Sequence, residues 1–212
     1  MNKLYSKVYG WLFVGLLLTF ATGAFLSNYE NAVINMMSGA SYLFIVLIEF
    51  GIAIFLSARI HKMNSGVATF CYLLYSFITG ITFSTLFMAF EMKSLITIFL
   101  IASLVFGLFA ILGMFTKISL DKLGTTLFMI LLGMIIATII NIFLGNSTLD
   151  LIISIIGVIV FVAYIGYDVK KLPIFVDNFG EENGAIYGAF QLYLDFINLF
   201  IYLLNIFGKN DN

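Results

Sequence analysis

The sequence predicts an all-α integral membrane protein, a bundle of seven transmembrane helices forming one domain over residues 1–212. Three observations carry that expectation. Hydrophobic residues make up 62% of the chain and charged residues only 10%, against about 25% charged in an ordinary soluble domain. The apolar residues fall into seven stretches, each near the ~20 residues that a helix needs to cross hydrocarbon. None of these stretches alternates apolar with polar residues as barrel strands do over roughly 10 positions. Within lipid, backbone groups are satisfied only in helices or closed barrels, so helices remain.

The first span, residues 8–26, follows Lys3 and Lys7 and closes on the small residues Ala21, Thr22, Gly23 and Ala24, in the manner of a secretory signal. Its length and the six spans behind it favour a retained helix. The remaining spans are placed at 41–58, 67–90, 94–115, 123–144, 149–167 and 185–207. Connections are short except at 27–40 and 168–184. The second of these carries the only proline, Pro173, and the acids Asp177, Glu181 and Glu182. It reads either as a solvated connector or as a cation-attracting mouth. With no Gly-, Ser- or Pro-rich linker and no clear repeat, one domain is expected.

Cytoplasmic loops near the membrane collect Lys and Arg. Starting the N-terminus inside puts Lys3, Lys7, Arg59, Lys62, Lys117, Lys122, Lys170 and Lys171 on the cytoplasmic side and leaves only Lys93 and Lys209 outside. A re-entrant last segment would return Lys209 inside, and the charge rule does not separate the two arrangements.

Composition also excludes. Ten basic residues against eleven acidic ones give no basic field to draw nucleic acid. One cysteine, Cys71, and one histidine, His61, build neither an internal disulfide nor a Cys/His zinc site. Cys71 reads as a small packed side chain. No nucleotide-binding motif supports pumping driven by ATP, and no Lys lies within the seventh span to form a Schiff base. Tyr167 and Asp168 with a second Asp on the next helix resemble an intramembrane aspartyl protease. Leu192, Tyr193 and Leu194 stand where such enzymes carry Gly-x-Gly before that Asp. A non-enzyme without a cofactor is expected.

Chemistry is therefore sought among ionisable side chains inside the spans, which are costly there and mark pathways or relays. Glu49 sits midway along the second span, Asp195 within the seventh, Asp168 at the cytoplasmic end of the sixth and Arg59 at that end of the second. Gln191, Asp195, Asn198, Tyr202 and Asn205 recur at steps of four and three, placing them on one helical face. That face either lines a cavity or makes interhelical hydrogen bonds. Ser154, Gly157, Phe161, Tyr164, Asp168 and Lys171 form a second stripe on the sixth helix.

If the sixth helix runs to Leu172 before Pro173 stops it, and the seventh enters hydrocarbon near Phe190, the two aspartates reach similar depth. Two carboxylates in contact at low dielectric cannot both ionise cheaply, so such a pair shares a proton. Arg59 either pairs with Asp168, competing with that proton, or anchors at the headgroups. Glu49 has two readings as well. It lines a cation route together with Gln191 and Asn198, since a hard cation wants carboxylate and carbonyl oxygens, or it is protonated and bonded to Ser76, Thr79 or Tyr75.

These residues resemble the Bax-inhibitor family, also called the transmembrane Bax inhibitor motif family. The specific segment is GAFQLYLDFINLFIYLLNIFG at Gly188 to Gly208. Weaker similarities cover nearly all the chain: KVYGWLFVGLLLTFATG at Lys7 to Gly23, the region of Glu49, YSFITG at Tyr75 to Gly80, and AYIGYDVKKL at Ala163 to Leu172. The resemblance implies a last helix enclosed by the other six and a pH-sensitive calcium leak. By motif position it implies Asp168 and Asp195 as the pH-sensing pair, and as the carboxylates that would meet Ca2+, with Arg59 bonded to Asp168 in a closed form. Where many relatives follow the first of these acids with Thr-Gln, this chain has Val169 and Lys170. Some bacterial relatives are instead linked to a membrane protease.

Two functions are thus set against each other. The first is a passive, proton-gated calcium leak in a bacterial inner membrane, formed by a monomer whose partners are lipid, calcium and protons. The second is a regulator that binds a membrane protease or stress factor without transport.

Overall fold

The computed structural model describes residues 2–116 and 119–210. Among them the structure is all-helical: α1 Asn2–Leu26, α2 Glu30–Met36, α3 Gly39–Arg59, α4 Ser65–Ala89, α5 Met92–Phe115, α6 Leu120–Leu144, α7 Ser147–Phe179 and α8 Glu181–Phe207, with a 3-10 turn at Ile60–Lys62 after α3. Seven of the helices, all but α2, are long and apolar enough to cross a membrane. Their outward side chains are those of lipid-facing surface: Phe143 is 85% exposed and Leu104 75%, an arrangement that water would not tolerate over so many residues. Lys117, one of the residues in the charge tally, lies outside the described residues.

Two connections expected from the sequence are not loops. Residues 27–40 hold α2, whose Val33 is buried. Residues 168–179 continue α7 straight through Pro173, and the chain turns only at Gly180, whose φ of 82° suits a residue without Cβ. Proline removes the amide that would bond to the carbonyl of Val169 and normally kinks or ends a helix. Here Val169, Leu172 and Phe175 on either side are buried, and that burial outweighs the lost bond. The returning α8 lies directly on this extension. A Cβ on Gly184 would fall 2.6 Å from Val176 Cα, so only glycine admits the approach.

The chain forms two compact units. The first contains α1 to α4, the end of α7 from Leu172 and α8 as far as Tyr193. Helix α1 packs closely on α4, where a Cβ on Gly80 would fall 2.8 Å from Thr19 O. The second contains α5, α6, α7 up to Lys171 and α8 from Leu194. Here Phe196 of α8 meets the rings of Phe99 and Phe106 on α5 at 5.4 and 5.7 Å. Leu127 and Met134 of α6 join Ile153 and Val160 of α7 in a buried cluster. Helix α8 runs through both units, and its hydrophobic window is 56% buried, the largest share among the seven long helices.

Candidate functional site: buried acids on α7, α8 and α3

Within the second unit, the carboxyl groups of Asp168 on α7 and Asp195 on α8 face each other closely enough to interact electrostatically. Both residues are buried, at 6% and 4% exposure. An ionised carboxylate only accepts hydrogen bonds, so a hydrogen bond within this pair would need a proton on one of its members. The second oxygen of Asp195, Oδ2, is buried without a hydrogen-bond partner. An orphan polar atom in a dry site is costly.

The surroundings of the pair come mostly from α7. Lys171, one turn beyond Asp168, acts on it electrostatically. Its ammonium donates to Tyr167 Oη at 3.1 Å and sits 4.8 Å from the centre of that ring. The phenol of Tyr164 also faces both acids. Sequence reasoning put Tyr164 and Lys171 on the Asp168 stripe without giving either a role. The signal was present in the three-residue step from Asp168 to Lys171, which puts a cation on the acid's own face.

The polar stripe of α8 does not share one environment. Asp195 is buried, Gln191, Asn198 and Tyr202 are half-buried, and Asn205 is exposed. Asn198 turns its amide back onto its own helix, donating to Leu194 O at 2.8 Å. Arg59 is exposed at the end of α3 in the first unit. Among the described residues no three His, Cys, Asp or Glu side chains converge. A calcium ion at the Asp168–Asp195 pair would therefore draw its other ligands from carbonyls, hydroxyls or water.

Glu49 belongs to a different cluster, inside the first unit. It is half-buried and lies 2.5 Å from Thr79 Oγ1 on α4, one of the hydroxyls that the sequence offered it. The same unit holds Thr19 of α1 at 2.5 Å from Tyr193 of α8. Tyr193 was not among the residues read as functional from sequence. Of the acids expected in the 168–184 connection, Glu181 and Glu182 instead begin α8, and both pair with Lys7 of α1, at 3.9 Å for Glu181.

Helices of this length with lipid-facing exteriors define an integral membrane protein. The chain belongs to the family described as inhibitor of apoptosis-promoting Bax1, whose model matches residues 1–212. It is 36% identical to the inner membrane protein YbhL of Escherichia coli, covering 96% of this chain and 90% of the relative. It is also 36% identical to an uncharacterized protein of Borreliella burgdorferi, over 100% and 94% of the two chains. A membrane protein of Streptococcus pyogenes is 30% identical over 100% and 94%.

Proposed function

We propose that this protein is a pH-gated passive cation leak that carries calcium, with Asp168 and Asp195 as its proton sensor. The observation that carries the reading is the contact between their two buried carboxyl groups. A shared proton is the least costly way to keep two acids together away from water. Removing it leaves a repulsive pair that must separate, admit a cation or find another partner. Arg59 is the proposed partner in the closed form: it would pair with Asp168 only when that acid is ionised. Acid conditions then favour the conducting form and alkaline conditions the closed one. Gln191, Asn198 and Glu49 are proposed to line the cation route. The name of the Escherichia coli relative supports a bacterial inner membrane as the location, and the lysine distribution supports a cytoplasmic N-terminus.

The test is calcium flux into dye-loaded liposomes at several pH values, using the full chain and Asp195→Asn. The expected result is a flux that rises on acidification in the native protein and ignores pH in the variant. An unchanged pH response in the variant would end the reading.

A further inference from the structure

The second unit carries a groove of about 440 Å³ between the start of α6 and α7, lined by Gly124, Thr125, Phe128 and Tyr167. It owes its shape to a missing side chain. A Cβ on Gly124 would fall 2.7 Å from Tyr167 Cζ, so the phenol ring lies against the backbone of α6 and its hydroxyl reaches the seam between the two helices. That hydroxyl fixes a cation there: the Lys171 ammonium donates to it at 3.1 Å and stands 4.8 Å from the ring centre. Lys122, exposed in the first turn of α6 and one turn before Thr125, brings a second positive charge to the same end of that helix.

The two directions along the groove differ in character. Gly124 is the fifth residue of α6 and lies about 6 Å along the axis from the helix start. That depth falls within the roughly 5–8 Å of headgroup and interface that flank the hydrocarbon on each side. In the other direction Phe128, Leu132 and Ile136 follow at steps of four, 56%, 44% and 58% exposed, and continue the groove as an apolar strip along α6. A molecule that satisfies both ends carries a negative charge at one end and a hydrocarbon tail at the other. Free phosphate satisfies only the first. A second copy of this chain would press the Lys171 ammonium against apolar side chains, at the cost of a buried charge.

We propose that this groove binds one anionic phospholipid, with its phosphate held by Lys171 and Lys122 and an acyl chain laid along Phe128, Leu132 and Ile136. Ammonium and hydroxyl groups suit a phosphodiester: the lysines supply charge, and Thr125 and Tyr167 line the same space with hydroxyls. Basic pockets between membrane helices select such headgroups from an anionic leaflet. A zwitterionic lipid carries its own cation, which the two lysines repel. The site stands apart from the calcium reading, and its lipid is held whether or not the protein leaks.

The test is native mass spectrometry of the full chain released from vesicles that contain equal amounts of phosphatidylglycerol and phosphatidylcholine. The expected result is one phosphatidylglycerol retained per chain in preference to phosphatidylcholine. Lys122→Gln and Lys171→Gln should each lower that preference about fivefold, the change expected for one cation at a charged membrane surface. Lys62→Gln, which removes an exposed lysine after α3, should leave it unchanged. Lys122 is exposed, so its variant decides the matter even if Lys171→Gln does not fold. Equal retention of the two lipids, or a loss in Lys62→Gln as large as in Lys122→Gln, overturns the proposal. Displacement of the lipid by inorganic phosphate would reveal an anion site without a chain contact and overturns the assignment to a phospholipid.

Discussion

Asp195 on α8 faces another carboxyl group, whereas Glu49 on α3 faces a hydroxyl. The first contact fails if both partners are ionised, so its geometry is tied to proton occupancy. The second survives in either state, because a hydroxyl can donate or accept; ionisation only reverses which partner gives the hydrogen. Two acids placed among helices of one chain thus differ in what a proton does for them. One arrangement is suited to move helices apart, the other to reverse a single hydrogen bond while the helices stay in place.

The comparison breaks most visibly in flux. An equilibrium set by uptake of one shared proton changes by about tenfold per pH unit at its steepest. Asp168→Asn or Asp195→Asn should flatten that response completely, while Glu49→Gln should leave a pH-dependent flux. Equal loss in all three would show that the acids act as one unit. A smaller effect is expected from Arg59→Gln: a closed form that relies on an ionised Asp168 paired with this arginine would open at alkaline pH. The liposome flux measured at alkaline pH should then rise toward the acidic value, and a flux that stays low would remove Arg59 from the gate.

Stability sharpens the same contrast. Thr79→Val takes the partner from Glu49 and leaves a half-buried acid unsatisfied, at a cost of about 1 kcal/mol. Replacing both members, as Glu49→Leu/Thr79→Val, should recover most of that loss, since an apolar pair of similar shape is close to neutral. Thermal unfolding in detergent, run as a double-mutant cycle, measures the coupling. Simple additivity would mean that the 2.5 Å contact contributes nothing.

Much of this was legible in the sequence because lipid imposes a simple rule. Seven apolar runs of near-spanning length became seven long helices, and each intramembrane acid was conspicuous against its neighbours. The course of α7 beyond Asp168 was not legible. Pro173 signals a stop from its own covalent geometry, and the burial of Val169, Leu172 and Phe175 that overrides it depends on packing partners absent from any local window. Tyr193 was hidden for a related reason. It meets Thr19 across 174 positions of sequence, and in a chain with 11 tyrosines no local pattern sets it apart from the others.

The smallest effects are expected at the start of α8, where a charged contact and a neutral one can be compared directly. Lys7 bonds to Glu182 and lies near Glu181, with both glutamate side chains more than half exposed to solvent. Ion pairs in such positions contribute about 0–1 kcal/mol and weaken with salt. The two acids also sit in the first turn of α8, where the helix dipole favours them whether or not Lys7 is present. Asn183 is different: its amide nitrogen donates to Ile60 O at 3.0 Å and Met63 O at 2.8 Å, holding two backbone carbonyls past the end of α3. With that amide removed, Ile60 O keeps only the long bond from Met63 N at 3.4 Å and Met63 O loses the amide that bonds it, so Asn183→Ala should lower the melting temperature more than Lys7→Ala. Raising the ionic strength should erase the Lys7→Ala effect and leave the Asn183→Ala effect unchanged. If Lys7→Ala proves the more damaging at high salt, the start of α8 is held by charge and the weight assigned to the amide is wrong.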